Sequence, residues 1–319
     1  MKKVIAIVLA VMMLCAVTAC GGGESADETY TVGICQLVQH PALDAATQGF
    51  KDALTEALGD KVKFEEGNAS NDSTTCATIV NGFVSGGVDL ILANATPSLQ
   101  AAASATDSIP VLGTAVTEYG VALSIDNFNG TVGNNISGTS DLAPLDQQAD
   151  MITELFPDAK NVGILYCSGE PNSVYQAKVV KDCLEKKNIK VDVYTFADSN
   201  DVSTVTSSAC ANSDVIYIPT DNTAASCTEA ISAVALPAGV PIVAGEEGIC
   251  KGCGVATLSI DYYELGRTTG QMAVKILKGE AKVSEMPIEY YPNPVKKYNA
   301  DIASKLNVTI PEGYTAISD

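Results

Sequence analysis

The chain has 319 residues, abundant aliphatic side chains, no tryptophan and a formal net charge of −19. Two α/β domains fit this length at about 100–200 residues per domain. The acidic balance argues against nucleic acid or an anionic membrane surface as a partner, and it suits a soluble, monomeric, secreted protein.

The N-terminus has the pattern of a bacterial signal peptide. It opens with two lysines, and the apolar stretch 4–17 is too short for a comfortable membrane span. Small residues then precede Cys20, which resembles a lipobox, where cleavage occurs before the Cys and the thiol is diacylated. The alternative is an ordinary signal peptide with an incidental Cys. We predict a lipoprotein signal peptide over 1–19, a lipidated Cys20 and a flexible tether through residue 29, so that lipid holds the protein outside the bacterial cell membrane.

From Tyr30 the sequence alternates between apolar, β-branched runs and stretches of helical periodicity. The runs predict strands, which lie at 31–35, 62–65, 88–93, 109–113, 162–166, 190–196, 215–218, 241–244 and 255–258. Alternating β and α units call for parallel sheets, here two of them. The turn-rich stretch 120–136 interrupts the alternation and is interpreted as a crossover between domains. The predicted fold is α/β, with two doubly wound parallel-sheet lobes.

The segment 214–226, DVIYIPTDNTAAS, illustrates the repeating unit. Its apolar run is typical of a strand buried on both faces, and Pro219 then ends the pairing. A polar tip and a small-residue helix pattern follow. In an open α/β sheet such a tip is where ligands bind, although Asp221 or Thr220 could instead cap the helix.

Polar side chains recur at nearly every predicted strand tip. They are Asn68, Asn94, Thr96, Thr114, Ser140, Asp141, Glu170, Asn172, Ser173, Asp221 and Asn222. Any one of them is more often a helix cap or a turn residue than a ligand contact. Their recurrence favours a cleft between the two sheets that binds a small polar ligand.

Enzyme and cofactor interpretations find little support in the sequence. His40 is the one histidine and has no visible nucleophile partner. Neither a GxGxxG nor a Walker A motif is present, so nucleotide cofactors lack their usual phosphate cradle. We therefore predict no catalytic residues and no cofactor.

Two further motifs are interpreted as structural features and not as functional sites. Cys250 and Cys253 form a CxxC without a second ligand pair, which favours a local loop disulfide or two free thiols over a metal site. An extracytoplasmic redox protein or enzyme that uses this CxxC is kept as a further hypothesis. Glu246 and Glu247 are interpreted as solvated acids of a loop.

Several short segments occur together with the lipobox. They are HPALD (40–44), NATP (94–97), GTSD (138–141), EPNS (170–173), PTDN (219–222) and DYYELG (261–266). In combination they resemble the ABC-transporter substrate-binding lipoproteins of the TrpX-like family, over nearly the whole mature chain. The resemblance implies a type I periplasmic-binding-protein fold with a hinge of three crossings. The first lobe would comprise 30–137 plus 259–285, and the second 138–258 plus 286–319.

The resemblance also implies a set of ligand-binding residues. Glu170, Asn172, Ser173 and Asp221 would line the second lobe's side of the cleft, His40 and Thr96 the first lobe's side, and Ser140 and Asp141 the hinge region. We expect Asp221 to receive a ligand ammonium as a charge-assisted hydrogen bond. Hydroxyls of Thr96, Ser140 and Ser173 would take the carboxylate, and Leu37 and His40 would hold the side chain.

Family ligands are the aromatic amino acids tryptophan and phenylalanine. Here Cys250 to Cys253 stands where the family more often has a glycine-rich loop. The function predicted from the resemblance is an extracytoplasmic solute-binding lipoprotein that delivers an amino acid to an ABC permease and ATPase complex. The alternative is a ligand-sensing subunit of a signalling receptor with the same fold and no transport role.

Overall fold

The computed structural model describes residues 29–318, so the predicted signal peptide, Cys20 and all but the last residue of the tether lie outside the described part. The strands are β1 (Tyr30–Gln36), β2 (Val62–Asn68), β3 (Leu90–Asn94), β4 (Val111–Val116), β5 (Ile136–Ser140), β6 (Asn161–Cys167), β7 (Lys190–Phe196), β8 (Val215–Ile218), β9 (Ile242–Ala244), β10 (Ala256–Ser259), β11 (Glu289–Tyr290), β12 (Val295–Tyr298) and β13 (Thr315–Ala316).

Helices connect these strands. They are α1 (Pro41–Leu58), α2 (Ser73–Gly86), α3 (Thr96–Ala105), α4 (Tyr119–Ala122), α5 (Leu145–Leu155), α6 (Pro171–Lys186), α7 (Val202–Cys210), α8 (Asn222–Ser226), α9 (Thr228–Ala238), α10 (Glu247–Cys253), α11 (Tyr262–Leu277) and α12 (Ala300–Lys305). Single 3₁₀ turns lie at Gly59–Lys61 and Val283–Glu285.

The strands form two sheets, one per lobe. The first has the order β11-β5-β4-β3-β1-β2, with all pairs parallel. The second has the order β13-β12-β10-β9-β8-β6-β7 and is parallel except for the antiparallel pair of β10 and β12. The predicted α/β fold with two parallel-sheet lobes is confirmed.

Central strands are buried along their whole length. β3 (LILAN) and β8 (VIYI) have no exposed residue, because helices cover both faces of a doubly wound sheet. Edge strands differ: β2 alternates half-buried and exposed residues. Continuous apolar runs therefore place the core strands, and the polar residues that follow them come to the carboxyl edges of the sheets.

The chain passes between the sheets at 141–144, at 260–261 and at 291–294. The expected crossover at 120–136 is wrong, because this stretch connects β4 to β5 within the first sheet. Likewise, β5 and β11 place residues 138–140 and 289–290 in the first sheet, whereas the expected boundaries assigned them to the second lobe.

Strand β5 is hard to recognise because its sequence, ISGTS, is rich in small polar residues. Gly138 adopts a φ of 145° there, and a Cβ at this position would overlap the Gly113 carbonyl oxygen of β4. Only glycine fits this close strand pairing, and glycine is otherwise a weak strand former.

Helix α11 packs closely along α1 of the first lobe. A Cβ at Gly49 of α1 would overlap the Tyr263 carbonyl oxygen, and a Cβ at Gly266 of α11 would overlap the Ala46 carbonyl oxygen. Phe50, fully buried, lies in the same hydrophobic cluster as Met272 of α11. The helix that follows β10 of the second sheet thus belongs by packing to the first lobe.

Candidate functional site

The carboxyl edges of the two sheets face each other and are joined by two side-chain hydrogen bonds. His40 Nε2, before α1, lies 3.3 Å from Asn222 Oδ1 at the start of α8. Asn71 Nδ2, after β2, donates to Thr223 Oγ1 at 2.9 Å. Strand tips of both lobes therefore meet in one closed cleft.

Glu170 holds the second-lobe half of this contact in place. Its carboxylate accepts hydrogen bonds from the backbone N–H and side-chain amide of Asn222 at 2.9 and 2.7 Å. It also accepts from the backbone N–H and hydroxyl of Thr223, both at 2.8 Å, and from Asn172 Nδ2 at 3.2 Å. The residue is buried, and donors of its own lobe fill both oxygens.

The carboxylate of Asp221, like that of Glu170, accepts its hydrogen bonds from groups of the second lobe. Its Oδ1 accepts from Ala224 N at 2.7 Å and so caps α8, while Oδ2 accepts from Cys167 N and Ser173 Oγ, each at 2.7 Å. Burial, followed by the negative charge of Glu170, raises the pKa of Asp221 to about 8. The helix-capping alternative describes the contacts of Asp221 in this structure.

The EPNS segment folds back onto the tip of β8. Asn172 Nδ2 donates to the Thr220 carbonyl oxygen at 3.0 Å, and Gln176 Nε2 donates to the same oxygen at 3.1 Å. The Oδ1 atom of Asn172 is buried and has no hydrogen-bond partner. This oxygen can therefore accept a further hydrogen bond.

The first-lobe residues are also buried. Thr96 begins α3, and Ser140 Oγ donates to the Thr117 carbonyl oxygen at 2.7 Å. His40 has an unpartnered Nδ1, and burial lowers its pKa, so the neutral imidazole is favoured. Leu37 lies in the hydrophobic core of the first lobe.

Asp141 lies directly after β5 at the first crossing between the sheets. Its Oδ2 accepts a hydrogen bond from the Tyr262 hydroxyl at 2.9 Å, whereas Oδ1 is buried and has no partner. Burial raises the pKa of this carboxyl group, because the charged form loses its hydration, and hydrogen bonds from the side chains of Thr117 and Tyr262 oppose that shift. Tyr262 begins α11 after the second crossing, so this bond joins two crossing segments.

The interpretation of Glu246 and Glu247 as solvated acids of a loop is wrong for Glu246. This residue is 2% exposed and caps α10, accepting from Gly248 N at 2.6 Å and from Ile249 N. Burial is the main cause that raises its pKa to about 7. Glu247, in contrast, forms an ion pair with Lys297 at 2.5 Å. Sequence reasoning missed Glu246 because nothing local distinguishes a buried helix cap from a solvated acid.

Four acidic residues thus surround the cleft, each at most 4% exposed: Asp141, Glu170, Asp221 and Glu246. Among residues 29–318, the ion pairs involve other side chains, and none joins a Lys or Arg to any of the four. The closed cleft is therefore chemically suited to a ligand that carries a positive charge and several hydrogen-bond donors.

A cavity of about 390 Å³ opens between the lobes, and of these four acids Glu246 lines it. It is lined by Pro41 and Ala42 at the start of α1, by Glu246 of the second lobe and by Tyr262 and Tyr263 of α11. The lining combines aromatic and acidic side chains with two lysines, Lys251 and Lys297. Asn71, Thr223, Glu246 and Tyr262 are the cleft residues that sequence reasoning did not propose.

The CxxC cysteines lie on a helix rather than in a loop. Both thiols, on α10, are free and buried, and burial raises the pKa of each well above its usual range. A thiolate is therefore disfavoured at neutral pH, and a redox-active dithiol needs the opposite shift. Within 29–318 no group of three or more His, Cys, Asp or Glu side chains is arranged to hold a metal ion.

Two parallel-sheet lobes around a buried polar cleft suit the binding of a small solute, and comparisons with known proteins assign the family. The sequence profile described as ABC transporter substrate binding protein matches residues 31–318. The chain therefore belongs to the ABC transporter substrate-binding protein family, and the resemblance seen in the sequence is confirmed. Members of this family bind substrates and are not enzymes.

Specific relatives agree with this assignment. A tyrosine-binding protein of Clostridioides difficile is 37% identical over 302 residues, which is 90% of this chain and 86% of that protein. A crystal structure of an ABC domain in complex with L-Trp from Streptococcus pneumoniae has a TM-score of 0.86 at 32% identity and covers 91% of this chain and 100% of its own. The type I periplasmic-binding-protein fold is thereby confirmed.

A third relative is a solved structure described as ligand-free and open. The ligand-free, open structure of a substrate-binding protein with adhesive properties from Clostridium difficile is 37% identical, with 91% of this chain and 99% of that chain covered, yet its TM-score is 0.69. Its TM-score is thus lower than that of the Trp-bound structure, although its identity to this chain is higher. No helix within 29–318 is long and apolar enough to cross a membrane.

Proposed function

We propose that this chain is the lipid-anchored, extracytoplasmic receptor of an ABC importer and that it binds an aromatic amino acid between its lobes. The observation that carries the proposal is the closed cleft, in which four buried carboxyl groups have no Lys or Arg partner among the described residues. An α-amino acid supplies an ammonium group for such a site. The cavity lined by Tyr262 and Tyr263 offers aromatic surface against which the ligand's ring would stack.

The relatives support the ligand class, because one is a tyrosine-binding protein and another was crystallised with L-Trp. The proposed ligand contacts are those expected from the sequence: His40, Thr96, Ser140, Asp141, Glu170, Asn172, Ser173 and Asp221. Of these, Glu170 and His40 act in this proposal through lobe closure, since Glu170 orients Asn222 and His40 contacts it. Ligand binding would close the lobes about the three crossing segments.

The test is a thermal-shift screen of residues 21–319 against the twenty amino acids and common small metabolites. A ligand at about 1,000 times its Kd stabilises the folded state by about 4 kcal/mol, which raises Tm by several degrees. Hits confined to Tyr, Trp and Phe, followed by calorimetric titration, would support the proposal. Hits confined to sugars or other metabolites would reject the amino-acid ligand and leave the binding function in place.

Anchoring through Cys20 is tested separately. A Cys20→Ser variant is expected to lose incorporation of a labelled fatty acid and to appear in the soluble fraction of cells, while the wild type stays with the membrane. Equal fatty-acid labelling of both chains would reject lipidation at this residue.

A further inference from the structure

We propose that Asp141 is the residue that receives the ligand's ammonium group, through its Oδ1 atom. This inference rests on the proposed function, and it assigns to Asp141 the role that the sequence assigned to Asp221. It follows from the hydrogen bonds that each cleft carboxylate already makes in the closed arrangement.

Three of the four buried carboxylates are supplied with donors by their own lobe. Asp221 accepts from Ala224 N, Cys167 N and Ser173 Oγ, which together use both oxygens. Glu170 accepts from the backbone and side chains of Asn222 and Thr223. Donors of this kind also hold Glu246, which caps α10 with both oxygens. These groups complete the protein's own fold, and a ligand would have to compete for them.

Asp141 is the exception. The Tyr262 hydroxyl donates to Oδ2 at 2.9 Å and the Thr117 side chain also stabilises the charged form, whereas Oδ1 is buried and has no hydrogen-bond partner. A buried carboxylate oxygen that accepts nothing costs free energy, so closure around this atom is favourable when something else brings a donor. An ammonium group brings three donors and the compensating charge.

The position of Asp141 is also suitable for contact with a ligand. Its backbone N–H donates to the Val116 carbonyl oxygen at 3.3 Å, which fixes the residue at the carboxyl edge of the first sheet, between the ends of β4 and β5. Tyr262 holds the other carboxylate oxygen and lines the cavity between the lobes. The negative charge of Glu246 acts on the same region and adds to the attraction for a cation.

The experiment measures how strongly the protein prefers an amino acid over the same molecule without its amine. Calorimetric Kd values are determined for L-tyrosine, L-tryptophan and L-phenylalanine and for the corresponding 3-arylpropanoates. In the wild type the amino acid is expected to bind about 100-fold more tightly than its deaminated analogue, since a buried charge pair is lost in the analogue. In Asp141→Asn this preference should fall to about 10-fold or less.

Asp146→Asn serves as the matched control, because it makes the same chemical change at an exposed acid in the first turn of α5. It should keep the preference for the amine. Asp221→Asn is measured in parallel. If Asp221→Asn abolishes the preference and Asp141→Asn keeps it, the ammonium is bound by Asp221 and the inference is overturned.

A crystal structure of the wild type with the bound amino acid tests the same contact independently of whether Asp141→Asn folds. The ligand nitrogen is expected about 2.7–2.9 Å from Asp141 Oδ1. If the ligand nitrogen contacts other groups and not Asp141 Oδ1, this inference is overturned while the proposed function stands. If the wild type binds none of the amino acids, the proposed function fails and the inference falls with it.

Discussion

His40 Nε2 lies 3.3 Å from Asn222 Oδ1, and this contact joins the first lobe to the second across 182 positions of sequence. The bond from Asn71 to Thr223 lies beside it. Asn222 and Thr223 are both oriented by the carboxylate of Glu170. The buried carboxylate of Glu170 therefore positions both second-lobe residues whose contacts with the first lobe exist only when the lobes are together.

Loss of a contact across the cleft should weaken ligand binding without weakening the fold. Asn71→Ala removes the donor to Thr223, which contributes about 0.5–1.5 kcal/mol, so the ligand Kd should rise about 2- to 10-fold. Calorimetry gives the Kd, and small-angle scattering should show a more open average shape at subsaturating ligand. Asn68→Ala is the control, because the Asn68 side chain caps the local turn at Ser70 N. Equal effects of the two substitutions would contradict the role given to Asn71.

Glu170→Gln should lower the stability of the second lobe. The amide would place an N–H₂ group against the N–H and O–H donors of Asn222 or Thr223, leaving buried donors unpaired. We expect the free energy of unfolding to fall by about 2–4 kcal/mol in urea titrations. Glu185→Gln on α6 removes a half-exposed acid paired with Lys181 at 3.6 Å and should change it by less than about 0.5 kcal/mol. Matching losses in the two variants would contradict the central position of Glu170.

The contribution of Glu246 to the stability of the unliganded protein should fall as pH rises from about 4.5 to 7. Burial raises the pKa of Glu246 to about 7, whereas an unfolded Glu titrates at about 4.3. The native state therefore binds more protons than the unfolded state in this interval, and the free energy of unfolding falls with increasing pH. Asp221, with a pKa raised to about 8, extends the decline.

Glu246→Gln isolates the contribution of Glu246. Its free energy of unfolding should vary less between pH 4.5 and 7 than that of the wild type, as measured by denaturant titrations at several pH values without ligand. Parallel pH profiles for the two proteins would show that Glu246 does not titrate in this range.

Two glycine substitutions on helices should have opposite effects on stability. Gly266→Ala places a methyl group into the Ala46 backbone where α11 meets α1, and the free energy of unfolding should fall by about 1–3 kcal/mol. Gly82→Ala on α2 meets open space and should raise it by about 0.5–1 kcal/mol, since alanine has the higher helix propensity. A neutral Gly266→Ala would contradict the close packing of the two helices.

Cysteine alkylation checks the environment of the CxxC motif. Cys250 and Cys253 are buried with raised pKa values, so native protein should alkylate there slowly at neutral pH. Cys183, Cys210 and Cys227 are half-buried and should react before them. Mass spectrometry after timed alkylation distinguishes the sites. Rapid labelling at Cys250 would favour the redox hypothesis.

Strong local patterns made much of the fold predictable from the sequence. The run Val215 to Ile218 is buried as a strand, and the polar tip after it does reach the cleft, because the carboxyl ends of parallel strands share one edge. Strand β5 was missed since its residues are small and polar, and their burial depends on Gly113 and Gly138.

Partners of the site residues were harder to predict. Asp221 follows a strand in the sequence just as Asp141 does, yet one carboxylate is filled by its own lobe and the other keeps a buried oxygen without a partner. That difference comes from Cys167 and Ser173, which lie about fifty positions earlier in the chain. Donors so distant in the sequence cannot be predicted from the spacing of residues around Asp221.

The packing of α11 on α1 has a consequence for the order in which the chain is made. Residues Phe50 and Leu54 of α1 belong to a hydrophobic cluster that includes Met272 and Ala273 of α11. During synthesis, the first lobe cannot complete its packing until α11 has been made, and α11 follows strands β6 to β10 of the second lobe. A chain truncated before Tyr262 would expose this apolar face, so neither half of the polypeptide is a complete folding unit.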